Sequence, residues 1–375
     1  MHEGSTLVVT ELEVLPVRVS QRTVWLMVRL HTNKGLTGLG EASLGSATQL
    51  DELDTFFRLV EGYSPFDIQQ FRMRAWAKAV DGGIRAQTAM SAIEQALWDL
   101  LGKALAVPVH VLMGGTLRAE IALYANINRM TLDRSPDGFA RNARRVIDAG
   151  FAIIKAAPFD GFPARSAGVA TAQRATDRGI DCLLAMREAV GDEVAIRVDC
   201  HSHFDFARAV DVARRLKPAA LDWYEEPIAP TDAVTTAWIN ASIPQRMAGG
   251  ELLFGVAGFA PLCRPGVVDV IMPDVMHCGG LLEGRHIAAL AASEGVSVSP
   301  HNACGPVATA AAAQFAAGIE KFDSLELQWG EVAWRADITE PPEHVRDGTL
   351  AVPTGPGIGI ELNDAVVRAH LASVR

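Results

Sequence analysis

The first part of the chain alternates hydrophobic and polar residues in the manner of antiparallel strands. This alternation runs over Leu7–Val19, and a second β-rich run covers Thr23–Leu30. A turn signal follows at Asn33-Lys34-Gly35, and then comes the short run Gly38-Leu-Gly-Glu41. The pattern predicts an antiparallel meander.

A helical period replaces the alternation further along the chain. The apolar positions recur at spacings of three and four residues, at Met90, Ile93, Leu97, Leu100 and Leu101. This spacing predicts a helix over Met90–Ala106, which ends before Pro108. We therefore interpret residues 1–118 as an α+β unit.

From residue 119 the rhythm becomes short β-branched runs separated by amphipathic stretches, which is typical of βα repeats around a buried parallel sheet. The predicted strands are Ile121–Asn126, Ala152–Ala156, Ala195–Asp199, Leu221–Glu225, Gln245–Gly250, Val268–Met272, Val296–Ser299 and Ser324–Leu327. The clearest helices between them are Phe139–Ala149, Ala207–Leu216, Leu281–Glu294 and Val307–Ala317. Eight alternating units over residues 119–335 predict a (β/α)₈ barrel of the α/β class. The Gly- and Pro-rich run Leu350–Gly359 cannot continue a helix, so residues 336–375 are expected to return to the first unit.

Charge and cysteine usage exclude several classes of protein. The 34 Lys and Arg residues against 44 Asp and Glu residues give a net charge of −10, and a negative surface repels nucleic acid and anionic membranes. The five cysteines are odd in number, scattered and without a CxxC pair, which predicts no disulfide framework and no zinc cluster. The chain start lacks the features of a signal peptide, and the alanine-rich Val307–Gly318 is shorter than the ~20 residues of a membrane span. We therefore expect a cytoplasmic protein.

Three carboxylates follow consecutive predicted barrel strands at equal intervals. Asp199, Glu225 and Glu251 are each separated by 26 residues, about one βα unit. Because active sites of such barrels lie at the carboxyl ends of the strands, these side chains are expected to meet on one rim. Three such charges coexist best around a cation, and oxygen ligands favour one Mg²⁺ ion. The alternative is a set of helix caps or surface acids.

The series continues through Asp274, His301 and Glu326 on the last three strands. Asp274 and His301 on neighbouring strands predict a dyad, in which the carboxylate binds one imidazole nitrogen and leaves the other basic. Lys155 ends the second predicted strand, and His201 lies two residues after Asp199, on the same side if the strand continues. Each residue also has an alternative interpretation. His301 could be a buried structural histidine, and His201 could be a residue that orients a ligand. Lys155 could be a surface lysine, and Glu326 could be a solvated acid in a turn. His203, His277 and His286 are interpreted as non-catalytic.

The order and spacing of several motifs resemble the enolase superfamily, specifically the mandelate racemase subgroup, over essentially the whole chain. The motifs are Gly38-Leu-Gly-Glu41, Ala96-Leu-Trp-Asp-Leu-Leu-Gly-Lys103, Leu112-Met-Gly-Gly115, Glu225-Glu-Pro227, Gly250-Glu251, Met272-Pro-Asp274, Gly279-Gly280 and Pro300-His301. The resemblance implies a capping domain built from both chain termini and one Mg²⁺ held by Asp199, Glu225 and Glu251. It also implies removal of the proton α to a carboxylate and stabilisation of the enediolate on that ion.

Within the subgroup, Asp199-Cys200-His201 and the run that begins His301-Asn-Ala-Cys-Gly-Pro are similar to acid-sugar dehydratases of the galactonate dehydratase type. That similarity implies His301 as the base, His201 as the general acid and a 2-keto-3-deoxy acid as product. It also implies that Lys155 contacts the substrate carboxylate and that Glu326 contacts the enediolate oxygen. Arg18, Arg22 and Trp25, with the segment Leu44–Gln49, occupy the region that covers the substrate in this family.

One departure from the family pattern bears on the reaction. Racemases of the subgroup carry Lys-x-Lys at the end of the second strand, whereas this chain has Lys155-Ala-Ala157. The missing lysine favours chemistry with a single base over two-base racemisation. The alternatives are a racemase, an epimerase, a lactone cycloisomerase or a non-catalytic acid-sugar binding protein. The expected partners are a small-molecule acid sugar and further copies of the chain in a homo-oligomer, and no nucleic acid or membrane.

Overall fold

The structure, a computed structural model, describes residues 7–44 and 49–372, apart from the side chain of Arg165. Its first unit is an antiparallel meander of β1 (Val9–Arg18), β2 (Val24–Thr32) and β3 (Thr37–Glu41). Three helices follow it, α1 (Leu50–Phe57), α2 (Ile68–Leu105) and α3 (Val109–Leu112). The predicted α+β unit is confirmed, and we call β1 to α3 the capping domain.

Helix α2 is much longer than the predicted helix, which began at Met90. Its backbone breaks at Gly83, where φ is 65°. The neighbouring pair Gly82-Gly83 lowers helix propensity, and the residues before it are largely solvent-facing. The apolar period is therefore clear only in the second half of the helix, and the sequence pattern missed the first half.

The glycines of the Gly38-Leu-Gly-Glu41 motif let α2 lie directly on β3. A Cβ atom on Gly38 would lie 2.2 Å from the carbonyl oxygen of Ala96, and one on Gly40 would lie 2.1 Å from that of Ala92. Both distances are far below van der Waals contact. Any other residue at either position would push the helix off the sheet.

The second unit is a parallel barrel of eight strands joined by seven helices. In chain order these are β4 (Glu120–Asn126), α4 (Pro136–Asp148), β5 (Ile153–Ala156), α5 (Val169–Val190), β6 (Ala195–Asp199), α6 (Phe206–Arg215), β7 (Trp223–Glu225), α7 (Ala233–Asn240), β8 (Arg246–Gly249), α8 (Gly255–Phe259), β9 (Val270–Ile271), α9 (Gly280–Glu294), β10 (Ser297–Val298), α10 (Pro306–Ala317) and β11 (Leu325–Gln328). Neighbouring strands pair in sequence order from β4 to β10, and β11 pairs with β4. A parallel bridge between Val298 and Phe322 closes the ring. The barrel and its eight predicted strands are confirmed, each end within two residues of its predicted position.

The chain after β11 forms β12 (Thr339–Glu340), β13 (Val345–Arg346), β14 (Thr349–Ala351), β15 (Glu361–Leu362) and α11 (Asp364–Ala369). Strand β14 pairs with the start of β4. Further on, Gly357 exchanges backbone hydrogen bonds with Val107 and Val109, and Leu371 bridges to Val17. The tail thus packs on the capping domain, although the predicted domain boundaries themselves stay predictions.

Two buried carboxylates of the capping domain bind the amino ends of barrel helices. Glu41 accepts hydrogen bonds from the backbone N–H groups of Gly305 and Ala308 at 2.7 and 2.9 Å, at the start of α10. Glu94 accepts from Leu281 and Leu282 at 2.7 and 3.0 Å, at the start of α9. Carboxylates there satisfy free N–H groups and oppose the positive end of the helix dipole. These contacts hold the capping domain against the helices that follow β9 and β10.

In the described part of the chain, no helix combines the length and hydrophobicity that crossing a bilayer requires. All five cysteines are buried free thiols.

Candidate active site

A cavity of about 250 Å³ opens at the carboxyl ends of the barrel strands, beneath the capping domain. Its wall includes Ser43 and Leu44 from the capping domain and several barrel side chains, among them Asn126, Arg129, Asp199, His201, Glu251, His277, His301 and Gln328. Four of the predicted site residues therefore line one cavity: Asp199, His201, Glu251 and His301. The other predicted barrel residues, Lys155, Glu225, Asp274 and Glu326, are buried directly behind them.

The three predicted metal ligands lie on adjacent strands. Asp199 ends β6 and Glu225 ends β7, and the two residues are partners in the parallel ladder. Glu251 follows the end of β8 by two residues. All three are buried, with 2%, 0% and 8% of their surface exposed. The regular spacing in the sequence thus translates into a carboxylate cluster at one rim.

Lys155 forms the floor of this cluster. Its Nζ lies 2.8 Å from Glu225 Oε1, 3.0 Å from Glu326 Oε1 and 3.8 Å from Asp199 Oδ2. Burial lowers the pKa of Lys155, but these carboxylates raise it well above its ordinary value. The lysine lies inside β5 rather than at its end, and its side chain is 1% exposed. Lys155 therefore neutralises protein carboxylates here, and its predicted contact with a substrate carboxylate stays a prediction.

Glu326 is held by three further donors that the sequence pattern did not reveal. Its carboxylate accepts from Asn126 Nδ2 at 2.6 Å, from the Tyr124 hydroxyl at 3.2 Å and from the backbone N–H of Asn302 at 3.2 Å. Burial raises the pKa of Glu326, but the charge of Lys155 and the hydrogen bonds to the carboxylate have a larger opposite effect. The pKa is therefore lowered to about 2. Glu326 is the second residue of β11 and does not end the strand as predicted. Its predicted role at the enediolate oxygen is untested.

The predicted dyad residues are in hydrogen-bond contact. His301 Nδ1 lies 2.6 Å from Asp274 Oδ2, and Asp274 Oδ1 accepts from the backbone N–H of Met276 at 2.7 Å. The other ring nitrogen of His301 is 3.4 Å from Glu251 Oε2 and 3.6 Å from Glu326 Oε2. Burial lowers the pKa of His301, but Glu251, Glu326 and Asp274 together raise it to about 10. Nε2 of His301 thus faces the carboxylate cluster, whose negative charge favours the protonated ring.

His201 reaches the same cluster, but not by strand alternation as the sequence suggested. The strand ends at Asp199, and His201 adopts a left-handed backbone with φ of 43°. This turn lets its N–H donate to Asp199 Oδ1 at 2.9 Å and brings Nε2 to 2.8 Å from Asp199 Oδ2. Its Nδ1 is 2.5 Å from Asp160 Oδ1. Burial lowers the pKa of His201, but the two carboxylates raise it to about 12.

Asp160 is a site residue that the sequence analysis missed. It lies in the loop that follows β5, at the same rim as the predicted ligands. Its signal in the sequence is a carboxylate that follows a predicted barrel strand, but it lies four residues beyond the strand end, farther than any of the predicted site residues.

The residues fit the divalent cation that the family resemblance implies. Two of the three predicted ligands, Asp199 and Glu251, each offer one ligand atom, and these atoms and a ring nitrogen of His201 all lie within 4.8 Å of one another. Glu251 Oε2 is buried and has no hydrogen-bond donor among the described residues, although His301 Nε2 lies 3.4 Å away. An unpaired buried carboxylate oxygen is costly, and a hard cation would satisfy it.

Glu225, the third predicted ligand, already has protein partners. Lys155 Nζ binds one of its oxygens, and Trp223 Nε1 donates to the other at 3.0 Å. Each carboxylate oxygen retains a second lone pair, so Glu225 can still bind a metal from its place beside Asp199.

The predicted substrate-covering residues lie outside the cavity wall. Arg18 and Arg22 are exposed, whereas Trp25 is fully buried and packs its ring edge-on, 5.6 Å from that of Trp334. Their predicted contacts with substrate stay untested. Of the segment 44–49, Leu44 lines the cavity, and residues 45–48 lie outside the described residues.

Two family models match nearly the whole chain. The model of the mandelate racemase / muconate lactonizing enzyme N-terminal domain matches residues 4–114. The model described as enolase C-terminal domain-like matches residues 138–366.

Several relatives are about 30% identical to this chain over the aligned residues. A D-gluconate dehydratase of Thermoproteus tenax is 31% identical over 355 residues, which cover 92% of this chain and 70% of the relative. A D-xylonate dehydratase of Haloferax volcanii is 30% identical, covering 92% and 85%. A D-galactarolactone cycloisomerase of Agrobacterium fabrum is 29% identical, covering 91% and 90%.

Solved structures show the same architecture. A mandelate racemase/muconate lactonizing enzyme from Sulfitobacter sp. superposes with a TM-score of 0.89 at 28% identity, over 99% of this chain and 97% of the other. A second, from Jannaschia sp. CCS1, has a TM-score of 0.87 at 29% identity over 98% of both chains.

Proposed function

We propose that this chain, which belongs to the mandelate racemase/muconate lactonizing enzyme family of the enolase superfamily, is a hydro-lyase that acts on acid sugars. More specifically, we propose an aldonate or aldarate dehydratase. Relatives named dehydratases of D-xylonate, D-gluconate and D-galactonate support this substrate class. One observation carries the proposal. A single cavity presents two histidines, His201 and His301, each held through Nδ1 by a carboxylate, with Nε2 directed at the carboxylate cluster.

The reaction would use one Mg²⁺ ion held by Asp199, Glu225 and Glu251. When bound, the ion supplies fixed positive charge that makes the carbon next to a substrate carboxylate more acidic. Lys155 favours the ionised forms of Glu225 and Glu326 around that position, because its ammonium group lies within 3.0 Å of both.

His301 is the proposed base. A cation held by the carboxylates would offset the charge that raises the pKa of His301. Nε2 of the neutral ring then removes the proton from the carbon α to the substrate carboxylate, while Nδ1 stays hydrogen-bonded to Asp274. Asp274, Glu251 and Glu326 surround the ring and stabilise the imidazolium that forms. Proton transfer to a positioned histidine of this kind contributes about 10²- to 10⁴-fold to the rate.

His201 is the proposed general acid. It lies between Asp199 and Asp160, which favour its protonated form. It donates a proton to the β-hydroxyl group as the C–O bond breaks, so water leaves and a carbon–carbon double bond forms. The resulting enol tautomerises to a 2-keto-3-deoxy acid. The net change is the loss of one water molecule.

Ala157 supports a single-base reaction. It occupies the position where racemases of the subgroup carry a second lysine, and it is a buried apolar residue. Its side chain cannot accept or return a proton on the opposite face of the substrate. Because one relative is named a D-galactarolactone cycloisomerase, lactone isomerisation is the second candidate for the reaction of this protein.

Product analysis of the purified protein with Mg²⁺ tests the proposal. D-gluconate, D-galactonate, D-xylonate and galactarate would be screened for formation of a 2-keto-3-deoxy acid, with His301→Asn as the control for background activity. We expect product with at least one acid sugar in the wild type and none in the variant. Consumption of a lactone without keto-acid formation would favour the cycloisomerase, and inversion at C2 would favour an epimerase.

A further inference from the structure

His277, interpreted from the sequence as non-catalytic, lies at the cavity wall beside the proposed base. It belongs to the connection between β9 and α9 and is 3% exposed. Its ring centroid is 6.5 Å from that of His301, and the planes are inclined by 31°. A group bound at His301 Nε2 would therefore lie near the His277 ring as well.

A threonine of the capping domain determines which nitrogen of His277 carries the hydrogen. The Thr88 hydroxyl oxygen lies 2.7 Å from the carbonyl oxygen of Ile84 and 2.8 Å from His277 Nδ1. A hydroxyl group has one hydrogen, and a carbonyl oxygen can only accept. The Thr88 hydrogen therefore goes to Ile84, and His277 Nδ1 must donate to the threonine oxygen.

The other nitrogen, Nε2, is consequently a bare acceptor when the ring is neutral. Burial lowers the pKa of His277 more than the nearby Asp274 raises it, which favours the neutral ring. The neighbouring Asp274 Oδ2 is 3.7 Å from Nε2. Asp274 already accepts from His301 and from the Met276 N–H, and a carboxylate has no hydrogen to give. Among the described residues, His277 Nε2 has no donor.

A second acceptor of the cavity wall is also without a partner. Gln328 Nε2 donates to the carbonyl oxygen of Asn126 at 3.4 Å, which orients the amide. Gln328 Oε1 is then buried with no hydrogen-bond donor among the described residues. Two unpaired acceptors in a cavity beside the proposed base call for a ligand with hydroxyl groups.

We propose that His277 Nε2 accepts a hydrogen bond from a substrate hydroxyl group near the carbon that His301 deprotonates, and so selects polyhydroxylated acids over their deoxy analogues. This inference rests on the proposed dehydratase function and names a binding residue for it. The physical reason for selectivity is that an analogue without the hydroxyl leaves the nitrogen without a donor. Thr88 acts as a positioning residue, because it holds the ring in the required tautomer.

Binding measurements in a His301→Asn background test the inference without turnover. The dissociation constant would be measured by calorimetry, with Mg²⁺ present, for whichever of D-gluconate, D-galactonate and D-xylonate binds most tightly and for its 2-deoxy and 3-deoxy analogues. His277→Phe keeps the ring size and removes the acceptor. We expect it to weaken binding of the full sugar acid about tenfold. Binding of the deoxy analogue that lacks the contacted hydroxyl should change little.

His286→Phe, on the outer part of α9 with 45% of its side chain exposed, is the matched control and should bind like the parent. Thr88→Val and Thr88→Ser form a second pair, since only serine retains an oxygen for Nδ1. We expect weaker binding with valine and near-normal binding with serine. If His277→Phe does not fold, this pair of variants tests whether the orientation of His277 affects substrate binding.

Folded His277→Phe and Thr88→Val proteins that bind the sugar acid within twofold of the parent would overturn the role of His277 and leave the dehydratase proposal intact. A wild-type protein that neither binds nor dehydrates any acid sugar would overturn both.

Discussion

Asp160 Oδ1 lies 2.5 Å from His201 Nδ1, and this contact sets the direction in which the imidazole faces. The carboxylate itself is held by Asn128 Nδ2 at 2.6 Å, and Arg134 lies 3.7 Å away. The loop after β5 thus orients a histidine that follows β6. Because Nδ1 is bound from the loop side, Nε2 is presented to Asp199 and the cavity.

The first prediction concerns this contact. Asp160→Asn removes the negative charge but keeps the size, so His201 should be oriented less firmly and dehydration should slow by about tenfold or more. The same change in a His201→Asn background should have no further effect, because the partner is gone. Steady-state kinetics of the double-mutant cycle measure this, with Asp177→Asn on the surface of α5 as the control. Equal losses in both backgrounds would show that Asp160 acts independently of His201.

The second prediction separates proton removal from loss of water. His201→Asn should form little keto-acid but should still exchange the C2 hydrogen of the substrate for deuterium in D₂O, since His301 is intact. Proton NMR of recovered substrate should show a fading C2 signal with unchanged configuration, because Ala157 offers no base on the other face. Normal dehydration by the variant would remove His201 from the mechanism.

The third prediction concerns the base. His301→Asn removes the titratable nitrogen at similar size, so both dehydration and C2 exchange should fall by about 10²- to 10⁴-fold. Asp274→Asn should have a milder effect, because it disturbs the orientation and basicity of His301 without removing it. A His301→Asn rate above about a tenth of the wild-type rate would exclude this histidine as the base.

The fourth prediction concerns the cation. Mg²⁺ should raise the thermal unfolding temperature of the wild-type protein, because a ligand that binds only the folded state stabilises it. Glu251→Gln should fold but lose most of this shift, since Glu251 Oε2 is the buried oxygen without a donor. Chelation should abolish turnover, and Mg²⁺ should restore it. The exposed Glu294→Gln is the control. Full activity in excess chelator would contradict the metal site.

The fifth prediction concerns the contact between the two domains. Burial raises the pKa of Glu94 from 4.5 to about 7, although the backbone N–H groups of Leu281 and Leu282 and the Trp98 indole counteract this. The folded state therefore holds a proton between pH 4.5 and 7 that the unfolded chain has lost. The stability that protonated Glu94 contributes is fully present below pH 4.5 and is lost as the pH rises through 7.

Glu94→Gln is neutral at every pH and removes this titration. The free energy of unfolding of the wild type, relative to the variant, should fall between pH 5 and pH 8 by on the order of 1–3 kcal/mol. Urea unfolding of both proteins at the two pH values measures it, with the exposed Glu320→Gln as the reference. Glu94→Ala should destabilise the fold by about 3 kcal/mol, because three buried N–H donors lose their acceptor. A pH-independent difference between wild type and Glu94→Gln would contradict the raised pKa.

The barrel, the meander and the rim that carries the predicted site residues can all be predicted from the pattern of apolar and polar residues along the chain. Eight apolar runs at regular spacing can be buried together only as parallel strands around a common core, and the residue that ends each run must then face the same rim. This local periodicity is sufficient to place Asp199, Glu225 and Glu251 on adjacent strands, and Asp274 beside His301.

The contacts between the polar side chains could not be predicted in this way. Lys155 and Glu326 lie inside their strands and pair with each other beneath the cluster, and His201 reaches Asp199 through a left-handed turn. Asp160 and Thr88 come from a loop and from the capping domain, so no spacing along the chain relates them to their histidine partners. Hydrophobic periodicity reports which face of an element is buried. Contacts between polar groups on different elements depend on loop conformation and domain packing, which leave no periodic signal in the sequence.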